Sequence, residues 1–192
     1  KLKAFKLENW KFLSWKVYAE IGKTFQLRLI FSNLNGIAFP FLHFLQNFKL
    51  EISKGDTIAI LGPSGIGKTS LLRILSGIDF EYEGEVLIDG IHPLKAKIPG
   101  VLFQEPRLLP WETSLNNIRT INKKITKKRI IELLWEVGLK GFEDFLPWQL
   151  SGGMQKRVAF ARAISFDPDL LLLDEPFISL DKKLTYELIK LL

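Results

Sequence analysis

Cysteine is absent from the 192 residues, and histidine occurs only twice. Without cysteine the chain forms no disulfide and offers no thiolate, which excludes a small disulfide-stabilised scaffold and thiol chemistry. Hydrophobic residues make up 47% and charged residues 25% of the chain, a balance that excludes a disordered tail or a collagen-like fibre. The length suits about one domain, taking ~150 residues as typical.

Long apolar runs are also missing. No stretch reaches the ~18 consecutive apolar residues that a membrane-spanning helix needs. The most apolar segment, residues 36–45, is short and contains Pro40 and His43. The first residues are charged and show no signal peptide. Because the chain begins at Lys1 rather than at Met, we expect a processed product or a fragment.

Positive charge exceeds negative charge by six, and the excess is concentrated at the start of the chain. Residues 1–24 hold six lysines against two glutamates and are interpreted as a basic N-terminal extension. Apolar residues recur there at helical spacing, so a basic amphipathic helix on a membrane surface is one interpretation. An extension packed against the domain, or a poorly ordered end, is the alternative. A basic balance alone does not choose among nucleotide phosphates, nucleic acid and an anionic membrane.

Hydrophobic patterning predicts an alternation of strands and helices. Strands are expected at residues 25–31, 48–52, 57–61, 85–88, 101–103 and 170–173. Helices are expected between residue 67 and Gly77, across residues 112–146, with 129–137 the clearest piece, and at 153–166. Strands followed by helices of this length favour an α/β fold.

The strongest motif is GPSGIGKT at residues 62–69, which lies between a predicted strand and a predicted helix. Glycines let the backbone wrap around phosphate oxygens, and the helix that follows adds the positive end of its dipole. Lys68 would reach the β- and γ-phosphates, and the Thr69 hydroxyl would ligate Mg²⁺. The predicted phosphate-binding residues are Gly62, Pro63, Ser64, Gly65, Ile66, Gly67, Lys68, Thr69 and Ser70. A glycine-rich turn that binds nothing is the plain alternative.

A second motif is the leucine run 170–173, followed by Asp174, Glu175 and Pro176. A buried strand that ends in two carboxylates places both at the edge where open α/β sheets bind ligands. Asp174 would organise Mg²⁺, and Glu175 would act as the general base for the attacking water. A strand capped by solvated acids is the alternative, and the neighbouring phosphate loop argues against it.

A third motif is LSGGMQKR at residues 150–157. Ser151 can cap a helix that begins with Gly152 and Gly153, which makes a second anion cradle. Two cradles in one chain suggest a composite site between two molecules. A plain helix N-terminus is the default interpretation for this motif on its own.

Together these motifs give residues 25–192 a resemblance to the nucleotide-binding subunits of ABC transporters. Residues 62–69 resemble the Walker A motif, 150–163 the signature motif and 170–176 Walker B. Gln104 resembles the Q-loop glutamine, and residues 179–181 resemble the D-loop. Residues 104–111 (QEPRLLPW) resemble the corresponding segment in the ATP-binding subunits of importers for nitrate, aliphatic sulfonates and taurine.

The resemblance implies a fold: a P-loop NTPase with a mostly parallel sheet, an antiparallel β subdomain and a helical ABC insertion at about residues 105–150. It also implies that two subunits enclose two ATP molecules, each held by Walker A of one and the signature of the other. Ser151, Gly152 and Gly153 would then contact the γ-phosphate of the partner's nucleotide, with Gln155 and Asp181 nearby. Gln104 would bridge Mg²⁺ or water and would relay closure to a permease.

Two features of the resemblance are less complete. An aromatic ring ahead of Walker A would stack on adenine; Phe39 is the first choice and Phe41 the second, although a core phenylalanine is an equal alternative. The family's switch histidine follows the D-loop, but none of the 17 residues after Glu175 is histidine, and His43 and His92 lie upstream. We therefore expect a truncated C-terminal strand region and an uncertain hydrolytic activity.

The function predicted is an ATP-binding and ATP-hydrolysing subunit of an importer for a small anion, with ATP and Mg²⁺ bound. It would lie peripherally on the cytoplasmic face of the membrane. Expected partners are a second, identical ATP-binding subunit, permease subunits and a substrate-binding protein, without nucleic acid. One alternative is an impaired, truncated module that binds ATP without turnover. The other is a soluble ABC ATPase that acts on nucleic acid or ribosomes.

Overall fold

A computed structural model describes residues 3–6, 26–30, 49–53, 56, 58–61, 65, 67–82 and 84–176. The chain divides into two compact units. The first unit is Lys1–Pro99 with Asp169–Asp174, and the second is Gly100–Pro168 with Glu175–Leu192.

The described residues contain seven strands, four α-helices and a short 3₁₀ helix. The strands are β1 (Lys3–Lys6), β2 (Gln26–Ile30), β3 (Lys49–Ser53), β4 (Ile58–Leu61), β5 (Glu85–Ile88), β6 (Gly100–Leu102) and β7 (Leu171–Leu173). The helices are α1 (Lys68–Leu75), α2 (Ser114–Ile121), α3 (Lys127–Glu136), the 3₁₀ helix Pro147–Gln149 and α4 (Gly152–Ile164).

An antiparallel sheet of order β3–β2–β5 lies in the first unit, as expected for the β subdomain. Its register places Leu27 opposite both Ile52 and Ile88, and the last two are buried. After β5 the chain turns at Asp89 and Gly90, which both have positive φ, and Ile88 and Ile91 exchange two backbone hydrogen bonds. An Asp-Gly pair favours this tight turn because both positions must be left-handed.

β1 pairs with β4 in an antiparallel ladder, with Lys3 opposite Leu61 and Lys6 opposite Ile58. Four residues of the basic N-terminal extension therefore belong to the strand pair that leads into the phosphate loop. The sequence pattern did not predict this strand. The amphipathic helix, one of the two interpretations of the extension, would involve Trp10, Leu13, Val17 and Ile21, which lie outside the described residues.

Helix α1 follows the phosphate loop and is anchored in the core of the first unit. It buries Leu71, Leu72, Ile74 and Leu75, which share one face at helical spacing. Gly77 follows with φ 71° and donates its N–H to the carbonyl of Ile74, so the helix ends where the sequence predicted.

The second unit is mainly helical, and its helices begin at side-chain caps. Thr113 accepts a hydrogen bond from the N–H of Asn116 at the start of α2, and Thr126 accepts one from Arg129 at the start of α3. α2 and α3 pack on each other and on α4. The buried side chains of this core are Leu115, Ile118, Ile130, Leu133, Leu134, Val158 and Phe160.

Some boundaries differ from those expected. The stretch 112–146, expected to be helical, holds two helices separated by residues 122–126, where Asn122 leaves helical geometry at φ −117°, ψ 87°. Residues 137–146 are turns and loop rather than helix, because Gly138 has a positive φ that ends α3. α4 begins at Gly152, directly after its cap Ser151 as the motif predicts, and it ends at Ile164, two residues before the expected end at residue 166. Within the described part of the chain, no helix is long and apolar enough to span a membrane.

Candidate nucleotide site

The end of the phosphate loop runs directly into the N-terminus of α1. Gly65 has φ +78° and Gly67 has φ +95°, a left-handed conformation that glycine adopts without strain. Gly67 accepts the first helical hydrogen bond, from the N–H of Leu71 at 2.9 Å. The N–H groups of the first helical turn lack helical acceptors, so this end of α1 favours an anion. Lys68, Thr69 and Ser70 form that turn. The other predicted loop residues, Gly62, Pro63, Ser64 and Ile66, lie outside the described residues.

Thr69 and Asp174 meet within the first unit. The Thr69 hydroxyl donates to Oδ2 of Asp174 at 2.9 Å, although 105 positions separate the two residues in the sequence. Thr69 is exposed, whereas Asp174 follows the buried strand β7 and is 6% exposed. The contact places two hard oxygen donors side by side, and both belong to the set of Thr69, Gln104 and Asp174 that the sequence predicted for Mg²⁺.

This donor set fits a magnesium ion that also binds phosphate. Mg²⁺ prefers oxygen ligands and commonly takes only one or two from the protein, with the rest from water and substrate phosphates. Among the residues that the structure describes, no group of three or more His, Cys, Asp or Glu side chains could hold a metal ion alone. Thr69 and Asp174 are therefore suited to share such an ion with a bound nucleotide.

Glu175, the predicted general base, stands in a strained backbone position in the second unit. Its φ is 50°, in the left-handed region, and it precedes Pro176. A non-glycine residue held there costs about 1–3 kcal/mol, and a following proline further restricts its backbone. The ammonium of Lys156, on α4, donates a hydrogen bond to the backbone carbonyl of Glu175 at 2.5 Å. The side chain of Glu175 is half-buried.

The signature segment begins α4 as expected. The Ser151 hydroxyl accepts a hydrogen bond from the N–H of Met154 at 3.3 Å, so Ser151 caps the helix. Ser151 and Gly152 are exposed and Gly153 is half-buried, which leaves this helix start open to a ligand.

Gln155 supports the loop that leads into the signature helix. Its amide nitrogen donates to the carbonyls of Pro147, at 2.9 Å, and Leu150, at 3.2 Å. These bonds use both amide hydrogens within the protein. The contact between Gln155 and a nucleotide stays a prediction.

Gln104 is exposed and lies two residues after β6. The chain just beyond it is anchored to α4, because Arg162 donates to the carbonyls of Pro106 at 2.8 Å and Arg107 at 2.9 Å. Burial lowers the pKa of the Arg162 guanidinium from its ordinary value. The Arg107 guanidinium lies 4.2 Å above the ring of Phe103. One helix therefore carries both the signature segment at its start and the anchor of the Gln104 segment near its end.

Several predicted positions lie outside the described residues: Phe39, Phe41, His43 and Asp181. His92 is described, and it is exposed, with Nε2 2.8 Å from the hydroxyl of Tyr82. Lys156 is the functional candidate that the sequence reasoning missed. Lysine on a helix is usually exposed, so the sequence held no signal that this one is buried.

Comparison with known proteins identifies the family of the chain. A family model described as ABC transporter matches residues 45–178. The aliphatic sulfonates import ATP-binding protein SsuB of Bacillus cereus (strain ATCC 10987 / NRS 248) is 47% identical over 141 residues, which are 71% of this chain and 56% of that protein. SsuB of Bacillus subtilis (strain 168) is also 47% identical, with 71% and 55% covered. The chain thus spans about half the length of the curated relatives it matches.

Solved structures show the same fold. The ATP-binding cassette MJ0796, in a dimeric post-hydrolysis state bound to ADP and Pi, superposes with a TM-score of 0.71 and 30% sequence identity. The match covers 86% of this chain and 80% of that one. The fold class predicted from the sequence, a P-loop domain of the cassette type, is confirmed by this likeness.

Proposed function

Because the chain belongs to the ABC transporter family, we propose that it binds and hydrolyses ATP as the nucleotide-binding subunit of an importer. The observation that carries this proposal is the 2.9 Å hydrogen bond between Thr69 and Asp174. It joins the end of the phosphate loop to the carboxylate after β7, and it supplies the two oxygen ligands that a magnesium nucleotide needs.

Each residue at the site has a distinct part in the proposed reaction. Lys68 and the N-terminus of α1 attract the β- and γ-phosphates of ATP. Thr69 and Asp174 hold Mg²⁺, which when bound neutralises charge on the phosphate oxygens. Glu175 accepts a proton from the water that attacks the γ-phosphorus. Phe39, in this proposal, stacks on the adenine.

The second part of the site comes from a partner chain. We propose that Ser151, Gly152 and Gly153 of one subunit contact the γ-phosphate held by the phosphate loop of another, with Gln155 and Asp181 close by. The exposed, capped start of α4 supports this role. Gln104 orients Mg²⁺ or the attacking water. Its segment, tied to α4 by Arg162, transmits closure of the pair to permease subunits.

The cargo proposed is a small organic anion. The similar proteins of Bacillus are named aliphatic sulfonates import ATP-binding proteins, and the segment QEPRLLPW agrees with this lineage. The subunit then lies on the cytoplasmic face of a membrane permease. A substrate-binding protein delivers the anion to that permease.

Turnover of Mg-ATP by the purified chain at fixed protein concentration tests the proposal. We expect activity that is lost in Glu175→Gln and in Lys68→Ala. Glu132→Gln and Lys128→Ala are matched controls on α3, and we expect both to retain the activity. ATP binding that Lys68→Ala removes, without any turnover, would support the alternative of an impaired module that binds ATP only.

A further inference from the structure

Lys156 combines a charged side chain with deep burial. It is 7% exposed, on a helix whose next turn is made of buried small and apolar residues. A buried ammonium is stable only when polar groups surround it. One of those groups is the backbone carbonyl of Glu175, 2.5 Å from Nζ.

The carbonyl that Lys156 holds is the one that fixes the orientation of Glu175. Glu175 has φ 50° and is followed by Pro176, so its backbone is in a conformation that its own preferences disfavour. Anchoring the carbonyl oxygen limits rotation about the Cα–C bond of Glu175. This restrains the direction of the Cα–Cβ bond, and with it the place of the carboxylate.

We propose that Lys156 is a positioning residue for the Glu175 carboxylate. This inference rests on the proposed function, in which Glu175 accepts the proton of the attacking water. The ammonium does not touch substrate; it acts through the backbone of Glu175. Loss of the ammonium therefore lowers the rate of the chemical step and leaves nucleotide affinity in place.

A side chain elsewhere in the second unit supplies a structural control. Asn122, which follows α2, donates a hydrogen bond from its side-chain amide to the backbone carbonyl of Ser165 at 2.8 Å. Neither residue is among those proposed to bind or hydrolyse ATP. Asn122→Ala and Lys156→Met each remove one side-chain donor to a backbone carbonyl, but only Lys156→Met removes the donor that holds Glu175.

The first readout is kinetic, on the full chain. For Lys156→Met we expect kcat for Mg-ATP to fall on the order of tenfold or more, while the Kd for ATP stays within about twofold of the parent. For Asn122→Ala we expect a lower melting temperature and a kcat within about threefold of the parent. Equal losses of kcat in the two variants, or an unchanged kcat in folded Lys156→Met, would overturn the proposal.

The second readout is independent of turnover. The ¹³Cα and ¹³Cβ chemical shifts of Glu175 report the sign of its φ, and we expect them to move toward extended values in Lys156→Met. Unchanged shifts would overturn the positioning role, even in a chain without ATPase activity. A parent without turnover contradicts the proposed hydrolysis instead, so the two failures are distinguishable. Where Lys156→Met does not fold, Lys156→Gln, with a donor one atom shorter, is expected to show the same shift change at smaller amplitude.

Discussion

The hydroxyl of Thr69 donates to the carboxylate of Asp174 across 2.9 Å, which ties the first turn of α1 to the end of β7. Asp174 is buried, so its carboxylate depends on such partners for solvation. The same two oxygens are the ligands proposed for Mg²⁺. The stability of the chain without nucleotide and its binding of Mg-ATP therefore both depend on Thr69 and Asp174.

Two replacements of Thr69 distinguish the effect of its hydroxyl from the effect of its side-chain volume. Thr69→Val keeps the volume and removes the donor, so we expect Mg-ATP turnover to fall by about tenfold or more. Thr69→Ser keeps the hydroxyl and is expected to retain most of the activity. Unfolding in urea should show Thr69→Val less stable by about 1–3 kcal/mol, because a buried carboxylate loses a donor. Equal turnover in the two variants would contradict the assignment of Thr69 to the metal.

The ion pair of Arg73 and Asp79 follows α1 and should make stability depend on pH. Two hydrogen bonds, of 2.7 and 2.8 Å, join the side chains, and they lower the pKa of Asp79 from its ordinary value of 3.8. A folded-state pKa below the unfolded one stabilises the fold above the unfolded value, and this stability is lost as pH falls through the folded pKa. Both side chains are more than a third exposed, 37% and 38%, so solvent screening keeps the contribution small.

We expect Arg73→Met to cost about 0.5 kcal/mol at neutral pH. The difference from the parent should shrink toward zero as pH falls below the ordinary Asp79 value of 3.8 and then through its lower folded-state pKa. Urea unfolding at several pH values measures it. Lys128→Met, on an exposed lysine 4.0 Å from Glu132, is the control and should show little effect at any pH. A cost for Arg73→Met that is the same at acid and neutral pH would exclude the ion pair as its cause.

Asn117 organises the turn that precedes α2 and should be hard to replace. Its side chain is 1% exposed and bonds to four backbone groups, the N–H and carbonyl of Leu109 and the carbonyls of Glu112 and Thr113. We expect Asn117→Ala to destabilise the fold by about 2–4 kcal/mol, because buried backbone groups lose their partner. Asn116→Ala, next to it and half-buried, is the control. Similar melting temperatures for the two variants would contradict this account.

The anchor of the Gln104 segment gives a local prediction. Arg162→Met removes the donors to Pro106 and Arg107, so we expect faster amide hydrogen exchange at residues 104–109. Exchange in α3 should change little. Arg119→Met, an exposed arginine on α2, is the control. Unchanged exchange at residues 104–109 in Arg162→Met would show that the segment is held by other contacts.

Sequence reasoning succeeded where local chemistry specifies geometry. The Ser151 cap and the end of α1 at Gly77 each follow from what one or two residues permit. The meeting of Thr69 and Asp174 followed from the two motifs and the rule that strand ends share a sheet edge.

The features that sequence reasoning missed depend on partners distant in the chain. β1 (KAFK) is four residues long, and its pairing with β4 is set by residues more than fifty positions away. The burial of Lys156 depends on the backbone at Glu175, 19 positions later. Neither pairing leaves a periodic signal, since a single lysine or a four-residue run has no pattern to read.

Titration of the purified chain with ATP, with and without Mg²⁺, is the most direct test of the central claim that the phosphate loop and the Thr69–Asp174 pair form a magnesium-nucleotide site. We expect saturable binding that strengthens with Mg²⁺, disappears in Lys68→Ala and persists in the exposed control Lys128→Ala. Binding that is indifferent to Mg²⁺, or equal in the two variants, would contradict the account.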